Sequence, residues 1–146
     1  MTYETLGSLY SRIGEYLLSC VPEPSSPIFL YAEAAPGVMG EGVYQDRADD
    51  ILYVDCETGL ADLLFAAWKA EKPEKRWSAM EFLIRDGNFS ASFSFEKFNE
   101  YDGEREERAY RRHFGDKPLF YADSFLEEYE ALDPKNFPSA SETVFK

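Results

Sequence analysis

Residues 44–63, "YQDRADDILYVDCETGLADL", set six carboxylates against one base, Arg47. The acids are Asp46, Asp49, Asp50, Asp55, Glu57 and Asp62. Carboxylates in that density serve three kinds of chemistry. They hold a cation, trade protons inside a cleft that perturbs them, or present a negative face to water or a basic partner. "YQDRADD" lacks the Asp-x-Asp-x-Asp-Gly spacing of a calcium loop and the glutamate that closes it. Its acids fall in predicted loops and helix starts, where carboxylates are solvated rather than perturbed. The first two chemistries are therefore disfavoured.

The other reactive residue types are sparse. His113 is the only histidine and sits in a basic helix end, "RRHF", which favours a solvated terminus over a catalytic base or ligand. Cys20 and Cys56 have no Cys-x-x-Cys spacing, so no metal site is expected and buried packing suits both thiols. "APGVMGEG" has three glycines but neither the phosphate-loop pattern nor the dinucleotide-binding one, and reads as a turn between strands. No catalytic residue, metal or cofactor is expected, and the chain does not read as an enzyme.

Composition points the same way. The 146 residues suit a single domain spanning 1–146, with 134–146 as a loose tail. Hydrophobic residues make up 45%, which supports a proper core. A net charge of −13 disfavours nucleic acid and anionic membranes, and favours a basic partner or simple solubility. The opening "MTYETLGSLYSRIGEYLL" has neither the basic start nor the apolar run of a signal peptide, so a cytoplasmic location with two reduced thiols is expected.

Periodicity then supplies the elements that hold these residues. Leu6, Leu9, Tyr10, Ile13 and Leu17 mark a helix from about Thr2 to before Pro22. "IFLYAEA" (28–34), "GVYQ" (42–45) and "ILYV" (51–54) read as strands, spaced closely enough to favour antiparallel pairing. Leu60, Leu63, Leu64, Ala67 and Trp68 mark a second helix, capped by Thr58 and closed by Pro73, with Asp62 near its positive end. Across Asp86-Gly87, residues 78–95 alternate with period two on both sides, the signature of a hairpin. A third helix is expected over Gly103–Phe114 and a weaker one over 124–132. The fold class is α+β: an antiparallel sheet with helices packed on one face.

In the strand 28–34, alternation puts Phe29, Tyr31 and Glu33 on one side and Ile28, Leu30, Ala32 and Ala34 on the other. The side carrying the glutamate is expected to be exposed, where aromatics rimmed by acids would suit a protein interface. Cover by a loop or helix is the alternative.

The segments "IGEYLLSCVPE", "IFLYAEAAPGVMGEGVYQ", "LADLLFAAWKA", "RWSAMEFLIRDGNFSASFSF" and "REERAYRRHFG" resemble the YezG-like immunity proteins, bacterial antitoxins paired with secreted nuclease toxins. The similarity spans roughly residues 8–115, and its most specific piece is Trp77 leading into the Asp86-Gly87 hairpin with Phe89. The chain departs from the family pattern in its largely apolar middle helix and in Tyr110, where members often carry tryptophan. The resemblance implies a non-enzymatic inhibitor that neutralises a cognate nuclease toxin. A nuclease needs a basic face to hold its substrate, and an acidic protein is steered towards such a face. On this reading Asp46, Asp49, Asp50, Asp55 and Glu57, with Phe29 and Tyr31, form the toxin-facing rim. Two further acidic patches compete for that role: Glu100, Asp102, Glu104, Glu106 and Glu107, and Asp123, Glu127, Glu128 and Glu130. The alternative function is an adaptor for some other basic protein, and a third reading is a small enzyme or ligand-binding domain using a pocket beside the sheet.

Overall fold

The computed structural model describes residues 6–56 and 58–121. The expected helix over 124–132, the loose tail and the third acidic patch lie outside them, as does Glu57. Three helices and six strands follow the order α1 (Leu6–Cys20), β1 (Ile28–Ala35), β2 (Val38–Arg47), β3 (Asp50–Val54), α2 (Thr58–Ala70), β4 (Ala79–Arg85), β5 (Asn88–Ser94), α3 (Gly103–Phe114) and β6 (Leu119–Tyr121). The strands form one sheet in the order β5-β4-β1-β2-β3-β6. Every neighbouring pair is antiparallel except β3 with β6, which is parallel. This is an α+β fold. None of the described helices is long and apolar enough to cross a membrane.

The two hairpin turns follow from local chemistry. Pro36-Gly37 joins β1 to β2 with Gly37 at φ 76°, so β2 begins at Val38, four residues before the expected strand. Asp86 and Gly87 both take positive φ, at 52° and 76°, as a two-residue turn of the right twist requires.

On one face, α1 and α2 cover β1, β2, β3 and β4 with Leu9, Ile13, Leu17, Leu60, Leu64, Ile28, Leu30, Val43, Met80 and Phe82 in the core. Polar ties fix these layers together. Trp68 Nε1 donates to the Trp77 carbonyl at 2.8 Å, and Trp77 Nε1 donates to the Tyr10 hydroxyl at 3.2 Å. The Tyr10 hydroxyl donates in turn to Glu71 at 3.0 Å, and burial pushes its pKa up to about 12. Gln45, fully buried, donates to the Glu23 carbonyl at 2.6 Å and so pins the proline-rich loop to β2.

Two expectations are corrected here. Cys20 and Cys56 form a disulfide, Cα–Cα 6.0 Å, tying the end of α1 to the segment after β3, so neither is a reduced thiol in this structure. Their separation of 36 residues carries no pairing signal, and only the packing of α1 on the sheet brings them together. The helices also do not share one face. α3 crosses the other side and builds a second core from Phe29, Tyr31, Tyr44, Ile51, Ala109, Tyr110 and Phe114. The phenylalanines of β5 lie on an edge strand, and Phe89 and Phe93 remain 40% and 39% exposed.

Candidate functional site

α3 positions the site. Asp102 caps it, accepting from the Glu104 amide at 2.9 Å, with acids in its first turn and Arg111, Arg112 and His113 in its last, as the helix dipole favours. Glu33 of β1 is fully buried beneath it. Its carboxylate accepts from Arg105 twice, from the Tyr31 hydroxyl at 2.5 Å and from the Asp102 amide at 3.2 Å. Arg105 also donates to the Glu100 carbonyl at 2.6 Å and lies 3.8 Å above the Phe98 ring. Glu33 raises the guanidinium pKa further, so Arg105 is charged throughout the accessible range.

Glu106, the next residue, turns inward without a base. It is 7% exposed, accepts from the Tyr44 hydroxyl, and its Oε1 has no partner among the described residues. Burial raises its pKa; the Tyr44 hydrogen bond lowers it, and Glu33 and Glu41 raise it again. Gly42 explains how Glu106 fits, because a Cβ there would overlap its carboxylate. One turn on, Tyr110 stacks on Tyr44 with ring centroids 4.2 Å apart, and Tyr53 meets Tyr44 edge-on at 5.5 Å. Burial, followed by Glu106, drives the Tyr44 hydroxyl pKa well above its ordinary value.

Glu41 on β2 and Asp55 after β3 complete an acidic end of the sheet. Burial raises the Glu41 carboxyl and Asp55 raises it further, while burial, followed by Asp55, Glu106 and Glu41, raises the Tyr53 hydroxyl. Among the described residues no base forms an ion pair with Glu41, Asp55 or Glu106.

The acids predicted as one rim do not form one. Asp46, Asp49 and Asp50 sit around the β2–β3 turn, whereas Asp55 lies beyond the far end of β3. Five residue steps from Asp50 to Asp55 along β3 put roughly 16 Å between the two groups at the usual rise. The turn group is also largely neutralised: Asp46 pairs with Lys117, and Asp50 with Arg47 at 2.5 Å. Phe29 and Tyr31 are 0% and 3% exposed under α3, which overturns their expected exposure and leaves them no surface for a partner. The glutamate that suggested solvent is buried because Arg105 reaches it from a helix 72 residues away. His113 is half-buried against Phe29, centroids 4.7 Å apart, and its Nε2 lies 2.9 Å from Glu81. No group of three or more metal-ligating side chains occurs among the described residues.

Sequence reasoning missed Glu41 and the inward turn of Glu106. The signal for Glu106 was present in Gly42, a small residue inside a strand, which marks close approach of another group. Comparison with protein-family models and with curated proteins finds no match for this chain.

Proposed function

We propose that the chain is a YezG-like immunity protein, an antitoxin that binds and neutralises a cognate bacterial nuclease toxin by protein–protein contact, without catalysis of its own. The observation that carries this reading is the acidic end of the sheet, where Glu41 on β2, Asp55 just after β3 and Glu106 on α3 form no ion pair with a base among the described residues, while the chain carries a charge of −13. Glu104 at the start of α3, exposed and held only loosely by Arg108 at 3.9 Å, extends the negative surface, whereas Glu107 is paired with Arg111 at 3.0 Å. An acidic surface of this kind steers a basic face towards it, speeds association and weakens as salt rises. The resemblance over residues 8–115 supplies the toxin class.

This revises which acids meet the partner. Asp55 keeps its place in the toxin-facing set and is joined by Glu41 and Glu104; Asp46 and Asp50 leave it because they are paired, Phe29 and Tyr31 because they are buried, and Asp49 because it lies at the opposite end of β3. On this reading the inhibitor acts in the bacterial cytoplasm.

The test is affinity capture of the tagged full chain from its own bacterium, followed by assay of each captured protein for nuclease activity. The proposal requires a nuclease domain recovered in stoichiometric amount and silenced by the purified chain. Capture only of proteins without nuclease activity, while candidate toxins are expressed, would sink it.

A further inference from the structure

The opposite character appears in the cleft between α2, the β1–β2 turn and the chain after β5. It measures about 900 Å³, and Met39, Phe65, Trp68, Trp77, Phe95 and Phe98 give it apolar walls. Small-molecule sites span roughly 300–1,000 Å³ and are built the same way, aromatic and concave with few polar groups. Phe65 and Phe95 are 50% and 57% exposed, unusual for side chains of that size in a chain with a large core.

Beside Ser78, Asn99 and Glu74, the cleft carries two cations, Arg76 and Lys97. Among the described residues, Arg47, Arg105, Arg108, Arg111, Arg112 and Lys117 each pair with a carboxylate. Arg76 and Lys97, which line the cleft, pair with none among the described residues, as is also true of Lys69, Lys72, Lys75 and Arg85 outside it. The Arg76 guanidinium lies 5.0 Å over the Trp68 ring and donates through Nη2 to the Lys69 carbonyl at 2.9 Å. Its Nε is buried and makes no hydrogen bond among the described residues. An anion in the cleft would meet the positive charges of Arg76 and Lys97. Glu74 is the one carboxylate among the lining residues, and it is exposed.

We propose that this cleft binds a small organic anion with an apolar body, an aliphatic or aryl carboxylate whose head meets Arg76 and Lys97 while its body lies along Phe65, Trp68 and Phe95. A neutral molecule of the same shape buries the same walls but leaves both positive charges without a counter-charge. A cationic one is repelled by both bases. The inference stands apart from the toxin reading, since it uses none of the acidic end.

Both tryptophans of the chain line the cleft, so intrinsic fluorescence reports its occupancy. Full-length protein is titrated with decanoate and with 4-phenylbutanoate, which separate aliphatic from aryl bodies, and with decanol and decyltrimethylammonium as controls. Saturable binding is expected for at least one acid, about tenfold tighter than either control. Arg76→Gln and Lys97→Gln are each expected to weaken the acid by about tenfold with the melting temperature retained. Phe95→Ser should weaken acid and decanol alike, because it removes wall rather than charge. Absence of saturable binding by both acids overturns the proposal. So does equal binding of the ammonium, or unchanged affinity in both Arg76→Gln and Lys97→Gln. Binding confined to acidic aromatic peptides would also overturn the small-molecule assignment.

Discussion

Arg105 on α3 meets Glu33 on β1 side-on, with Nε 2.9 Å from Oε2 and Nη2 2.6 Å from Oε1. The carboxylate has no exposed surface, so the pair anchors the helix to the second face of the sheet. Removing one partner leaves the other charge buried and uncompensated. Arg105→Met should therefore destabilise the fold by about 3 kcal/mol in urea denaturation. Glu33→Met combined with Arg105→Met should recover part of that loss, since both charges then leave the interior while the Tyr31 hydroxyl and the Asp102 amide lose their acceptor. A single substitution without measurable effect would mean that α3 is held by its apolar residues alone.

Glu106 and Glu41 make a pH prediction with a definite sign. Burial raises both carboxyls above their ordinary 4.5, so the folded state binds these protons more tightly than the unfolded chain. Their contribution to stability is full below 4.5 and is lost as pH rises through the folded values. Glu106→Gln should be more stable than the parent at pH 7, by about 1 kcal/mol, the order of a buried unmatched polar atom. The difference should shrink as pH falls to 4.5. Denaturation midpoints across that range decide it, and a gap that widens on acidification would reverse the assignment.

Gly42→Ala tests the close approach of α3. The new methyl would collide with Glu106 and meet the Tyr44 ring at 3.0 Å. Overpacking of this kind costs about 1–3 kcal/mol. The effect should be strongly non-additive with Glu106→Ala, which clears the space, whereas independent sites would add.

The disulfide closes a loop of 36 residues in sequence separation. Chain-entropy reasoning assigns such a link about 3–4 kcal/mol through the unfolded state. The Cys20→Ser, Cys56→Ser variant should lose that stability against the oxidised protein and match the reduced one. Equal stability of all three forms would show that the link does not constrain the unfolded chain.

Much of the architecture was legible from local pattern. Alternation and Asp86-Gly87 located the β4–β5 hairpin, and the charge gradient of "GEREERAYRRHF" located α3 with its bounds. What pattern could not show was which elements meet. Phe29, Tyr31 and Glu33 form an amphipathic stripe that suits solvent, and only Arg105 makes its burial affordable. The acids of 44–63 were adjacent in sequence, yet β3 runs between them and carries Asp55 to the other end of the sheet. β6 was missed because three residues, Leu119–Tyr121, are too short for periodicity and pair in parallel through tertiary contact alone.

The central claim concerns the acidic end of the sheet as the surface that meets a basic nuclease. The most direct measurement is inhibition of the captured nuclease by three proteins: the parent, an Asp55→Lys, Glu104→Lys variant, and an Asp49→Lys control at the β2–β3 turn. All three substituted residues are exposed, so the fold should survive. The account predicts that the double variant loses about tenfold or more in inhibition and much of its dependence on salt, while the control matches the parent. Equal inhibition by the parent and the double variant, or loss only in the Asp49→Lys control, would contradict it.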